Sequence, residues 1–162
     1  MPAPSVSTLD SSTLSYHISH PLHEVDGVSH SALGKGVCHA RQCDFLIAAQ
    51  VKSFDSGDSN RDLHMIQVTQ GAKFPIVSVR VHLTEADLSS SAIICDLVIE
   101  FAGQTAHYQH LAFQQAVQGN QHRITGTIPS TLSDFKISPP SFFTVPVKNE
   151  MTVKVDITWH PL

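Results

Sequence analysis

From Ile76 to Leu83 the chain reads IVSVRVHL, which sets Val77, Val79, Val81 and Leu83 on one side of an extended strand and Ser78, Arg80 and His82 on the other. MTVKVDITW repeats the pattern with Val153, Val155, Ile157 and Trp159 against Lys154, Asp156 and Thr158. A period of two with one polar face predicts half-buried strands of an antiparallel sheet. Further strands are predicted at Leu14–Ile18, Ala32–Cys38, Cys43–Phe54, Ala92–Phe101, Gln104–Phe113 and His122–Ile128, about eight in all. The polar or Gly-containing stretches HARQ, TEADLSSS, AGQ and QGNQ separate them. No long amphipathic helix, repeat or linker divides the chain. The expected organisation is a flexible segment over residues 1–13 followed by one domain over 14–162.

Short loops allow a register to be predicted. Aligning the apolar faces across TEADLSSS sets Leu83 opposite Ile93, Val81 opposite Cys95 and Val79 opposite Leu97, with Arg80 across from Asp96 on the outer face. Such an exposed pair contributes at most about 1 kcal/mol, but it agrees with the register. Eight meandering strands with one apolar face can close into an all-β, antiparallel β-barrel, which removes the sheet edges and has room to enclose a ligand. A two-sheet sandwich is the competing closure.

At 162 residues the chain is long enough for a full single-domain core. Its net charge of -4, with Lys and Arg scattered singly, leaves no basic footprint for nucleic acid. No apolar run reaches the length of a transmembrane helix, and MPAPSVSTLDSS lacks the charged and apolar regions of a signal peptide. In VCHARQC, Cys38 and Cys43 flank a polar turn that would bring them opposite each other, so a disulfide and two free thiols both stay open. Cys95 reads as a small buried hydrophobe.

SFDSGDSNRDLHM, residues 53–65, collects Asp55, Asp58, Asn60 and Asp62 around one glycine. It reads as the start of a short helix with Ser59 as N-cap, Asp62 at the third helical position, and Leu63 and Ile66 on the buried side. A calcium loop fits poorly, because Leu63 stands where glycine is needed and Thr69 where glutamate is needed. Together with KFPIV, the turn FAGQT and the ending SDFKISPPSFFTVPVKNEMTVKVDI, this stretch resembles the YceI-like family of lipocalin-like proteins associated with polyisoprenoid and other long-chain lipids. The resemblance runs from about Tyr16 to Trp159. It maps the family's loop and turn residues onto Ser56, Gly57, Arg61, Asp62, Pro75, Gly103 and Thr105. It implies a single eight-stranded barrel with a short capping helix and a tunnel for an apolar chain. Val79 stands where the family often has Phe, which suggests extra room at that level. Arg61 is read as a partner for a nearby carboxylate or, more sharply, as a holder of a ligand head group.

Eleven histidines are the odd feature of the composition. His17, His20 and His23 would cluster on a helix, but Pro21 interrupts one, and on a strand His17 and His20 point to opposite faces. His64 is read as a helix-surface residue. No GxSxG elbow, phosphate loop or carboxylate pair stands out, so no enzyme, cofactor or specific metal is expected. The leading expectation is a carrier whose interior residues Phe45, Ile47, Val79, Val81, Cys95, Leu97, Ile99, Val153, Val155 and Ile157 sheathe one long-chain apolar lipid, with Phe142 and Phe143 near an entrance. The alternatives are a barrel filled by its own side chains and serving as an interaction module, and a His-rich metal-binding protein. The resemblance implies a periplasmic setting, with the cytoplasm as alternative. Outward Ile94, Val98 and Tyr108 would suit a homodimer.

Overall fold

The computed structural model describes residues 5–142 and 144–161. Its strands are β1 (Ser5–His20), β2 (His23–Ser29), β3 (Leu33–His39), β4 (Gln42–Gln50), β5 (Ile76–Thr84), β6 (Ala92–Phe101), β7 (Gln104–Gln118), β8 (Gln121–Thr131), β9 (Ser141–Phe142), β10 (Val145–Pro146) and β11 (Glu150–Pro161). One α-helix, α1 (Ser59–Val68), lies in the connection between β4 and β5. The main sheet runs β11-β8-β7-β6-β5-β4-β3-β1-β2, and pairing of β11 with β1 closes it. Every ladder is antiparallel. β3 pairs with the first part of β1 and β2 with the last part, so the two share one stave and the closed barrel has eight.

Residues 5–13, expected to be flexible, instead form the first half of β1. Ser7 to Thr13 pair with β11 across a bulge between Leu9 and Ser11, and Ser5 to Thr8 also pair with β3. The serine- and threonine-rich composition hid a strand that is held by ladder hydrogen bonds on both sides. β2 was not foreseen either. Its inward positions are Val25, Gly27 and Ser29, so only one large hydrophobe marks the period. Gly27 is needed there because a Cβ would sit 2.2 Å from the Tyr16 ring.

The predicted register between β5 and β6 is off by two residues. Val79 pairs with Ile99, Val81 with Leu97 and Arg80 with Val98, so no Arg80–Asp96 pair forms. The connection is not a symmetric loop: Asp87 accepts hydrogen bonds from the backbone and hydroxyl of Thr84, at 2.9 Å each, and opens a 3-10 turn over Asp87–Ser89. A two-residue slide leaves every side chain on its predicted face. Asp96 instead accepts the backbone N–H of His110 at 2.9 Å, where the β6–β7 register shifts and His110 takes a φ of 57°. This bulge switches the facing of β7, so Tyr108, expected outward, packs against the core and donates its hydroxyl to Asp134 at 2.7 Å. Ile94 does face outward.

Candidate functional site

The inner faces of the staves enclose a cavity of about 600 Å³. All of the described interior candidates line it: Phe45 and Ile47 from β4, Val79 and Val81 from β5, Cys95, Leu97 and Ile99 from β6, and Val153, Val155 and Ile157 from β11. Phe143 lies outside the described residues, and of Phe142 only its place in β9 is described. Cys95 is the free thiol of the chain, and burial first, then the charge of Asp96, pushes its pKa up to about 11. Cys38 and Cys43, directly opposite in the β3–β4 ladder, are joined in a disulfide.

One end of the cavity is covered by α1. Here the cap differs from expectation by one residue. Asp58, not Ser59, is the N-cap, accepting from the backbone of Asn60 at 3.0 Å and Arg61 at 3.2 Å. Asp62 turns back to the loop and accepts from the Ser56 backbone at 3.2 Å and the Ser56 hydroxyl at 2.5 Å. The face turned to the cavity carries Arg61, His64, Met65 and Val68, at the i, i+3, i+4, i+7 spacing of one helix stripe. Leu63, expected to be buried, is 55% exposed, and His64, expected on the surface, lines the cavity. Hydrophobicity alone selected the wrong stripe because α1 covers a mouth rather than a packed core. Among the described residues Arg61 has no carboxylate partner within ion-pair distance; its guanidinium donates to the Ser56 hydroxyl at 3.0 Å and the Ser56 carbonyl at 2.7 Å. Tyr16 lines the cavity nearby, and burial, then the charge of Asp62, pushes its pKa up to about 12.

The opposite end is formed by the tight turns of the hairpins. Trp159 is buried, stacks edge-on against Phe45 at 5.2 Å, and lies where a Cβ on Gly34 would collide with it. Polar groups also line this end: Glu85, Ser89, Gln115 and His122. Sequence reasoning missed Gln115 and His122, whose meeting depends on strand register rather than on a local motif.

His20 and His17, two of the histidines singled out by spacing, are tied into other contacts. His20 is buried and bonded through its ring to the Val145 carbonyl at 2.9 Å. His17 faces outward, with Nδ1 2.7 Å from Asp26 Oδ1 and Nε2 3.4 Å from the Ser19 hydroxyl. This line has the composition of an acyl-transfer triad, but Glu24 stands 3.5 Å from the same Nε2, and neither His17, Ser19 nor Asp26 lines a described cavity. Glu24 therefore shares the nitrogen that a triad would reserve for Ser19. Among the described residues no three His, Cys, Asp or Glu side chains lie close enough to hold a metal.

No family model and no curated protein sequence matches the chain. Solved structures do. The chain is similar to a polyisoprenoid-binding domain from Saccharophagus degradans implicated in plant cell wall breakdown, with a TM-score of 0.76 at 10% identity over 96% of this chain and 98% of that one. It is also similar to Burkholderia cenocepacia BcnA, with a TM-score of 0.75 at 14% identity over 91% and 95%. The chain has the YceI-like fold. A variant of the Campylobacter jejuni YceI protein aligns less closely, with a TM-score of 0.60 at 14% identity over 86% of each chain. The YceI-like proteins thus share the closed barrel with this chain at identities that speak for architecture alone.

Proposed function

We propose that this protein is a YceI-like, non-catalytic carrier that holds one long apolar lipid chain, polyisoprenoid or similar, inside its barrel. The observation that carries the reading is the apolar cavity of about 600 Å³, within the size range of small-molecule sites. At about 30 Å³ for a water-sized group, it takes a chain of about 20 non-hydrogen atoms. Each buried methylene contributes about 0.8 kcal/mol, so desolvation of some fifteen carbons outweighs the cost of association without many polar contacts. A polyisoprenoid-binding domain of the same fold supports the ligand class. The open volume favours a carrier over a barrel filled by its own side chains. The Cys38–Cys43 disulfide fits an oxidising compartment such as the bacterial periplasm.

The test is mass spectrometry of an organic extract of the purified protein, compared for wild type and Val79→Trp. Val79 lines the cavity between Ile47 and Ile99, so the indole would occupy the chain's volume. A carrier yields lipid from wild type, loses most of it in the variant, and keeps its fold at an overpacking cost of about 1 to 3 kcal/mol. A self-filled barrel yields no lipid, and the variant unfolds. Unchanged lipid and melting temperature would overturn the reading.

A further inference from the structure

The hairpin end of the cavity holds a polar pair with a defined protonation pattern. Gln115 is buried, and its side-chain Nε2 is surrounded by backbone carbonyls of the β5–β6 connection, 2.6 Å from Ser90 O, 3.1 Å from Leu88 O and 3.5 Å from Asp87 O. Only an NH2 group satisfies those acceptors, so the amide orientation is set by the network and Oε1 is left as an acceptor. The Nδ1 of His122 lies 3.0 Å from that oxygen. Nδ1 must therefore carry the proton, and in the neutral ring Nε2 is a bare acceptor. Among the described residues none hydrogen-bonds Nε2, although His122 lines the cavity. Glu85, a second acceptor, lines the same end, and its charge disfavours a carboxylate or phosphate there.

We propose that His122, oriented by Gln115, is the acceptor for the hydroxyl head of an alcohol- or phenol-class lipid, whose chain runs from this end toward α1. The proposal rests on the carrier reading and adds the class and the direction of the ligand. Arg61 at the α1 end does not supply this selection, because the guanidinium is a donor only.

The probes are geranylgeraniol and its methyl ether, which differ in the hydroxyl donor, titrated against the fluorescence of Trp159, the single tryptophan and a neighbour of His122 across the β8–β11 ladder. Wild type should bind the alcohol about 3- to 10-fold more tightly than the ether, the range expected for one neutral hydrogen bond. His122→Phe should bind the two equally, at the ether's wild-type affinity, and His122→Gln, which keeps an acceptor, should retain part of the preference. Equal binding of both probes by wild type overturns this proposal and leaves the carrier reading standing. So does a preference that survives intact in His122→Phe. Binding of neither probe overturns the carrier reading and the proposal with it.

Discussion

The two ends of the barrel are built on opposite plans. At the α1 end the charged groups of the aspartate-rich stretch are spent within that stretch: Asp58 caps the helix, Asp62 holds Ser56, and Arg61 reaches back to the same serine. At the hairpin end a buried glutamine satisfies a turn with its amide and engages one ring nitrogen of a cavity-lining histidine, whose other nitrogen has no hydrogen-bond partner among the described residues. The first arrangement spends its hydrogen bonds on holding a cover in place. The second retains one for a visitor. A conspicuous polar motif therefore need not be the recognition site, and an inconspicuous Gln–His pair on adjacent strands is the better candidate.

Breaking each end separately sharpens this contrast. The largest effect is expected from Asp62→Ala, which strands the Ser56 backbone N–H and hydroxyl and removes charge-assisted bonds; a loss of about 2 to 3 kcal/mol should appear in urea unfolding. The alcohol-to-ether preference at the other end should not change. Next comes the disulfide at the hairpin end. It closes a short loop, with a sequence separation of 5, so reduction or replacement of both cysteines by alanine should cost about 2 kcal/mol, read as a lower melting temperature in dithiothreitol. Asp58→Ala removes only the helix cap and should cost about 1 kcal/mol; a cost equal to that of Asp62→Ala would show that the two aspartates do not divide the work as their contacts suggest.

The last effect is set by pH. Burial raises the pKa of Cys95 from 9.0 to about 11, so the folded state binds the proton more tightly than the unfolded one. The stabilisation is fully present below pH 9 and is lost as pH rises through 11. Melting temperature should fall over that window, and Cys95→Ala should fall less steeply. Tyr16, raised to about 12, adds a similar loss at higher pH. An identical alkaline profile for wild type and Cys95→Ala would remove the thiol from this account.

Much of the barrel was legible because strand facing has a period of two, and a buried face writes that period directly into residue choice. The interior positions of β4, β5, β6 and β11 follow from it, and a two-residue register error left them in place. Where the inward residues are small or polar, as in β2 or the first half of β1, the same rule had little to act on. The bulge at His110 carried no local signal, and it alone decided that Tyr108 turns inward.

By itself the sequence determined the fold class, the inner face of most staves and the presence of a short helix after the aspartate-rich loop, because these depend on residues within a few positions of one another. Tertiary structure decided the rest. Whether the apolar faces meet or stand apart around 600 Å³ depends on how eight staves curve and close, which no single strand specifies. The stripe of α1 that faces the cavity depends on where the helix docks, and the meeting of Gln115 with His122 depends on the β7–β8 register and on a turn between β5 and β6 far away in the chain. Contacts between distant segments are set by the summed packing of the whole barrel, and local residue patterns do not encode that sum.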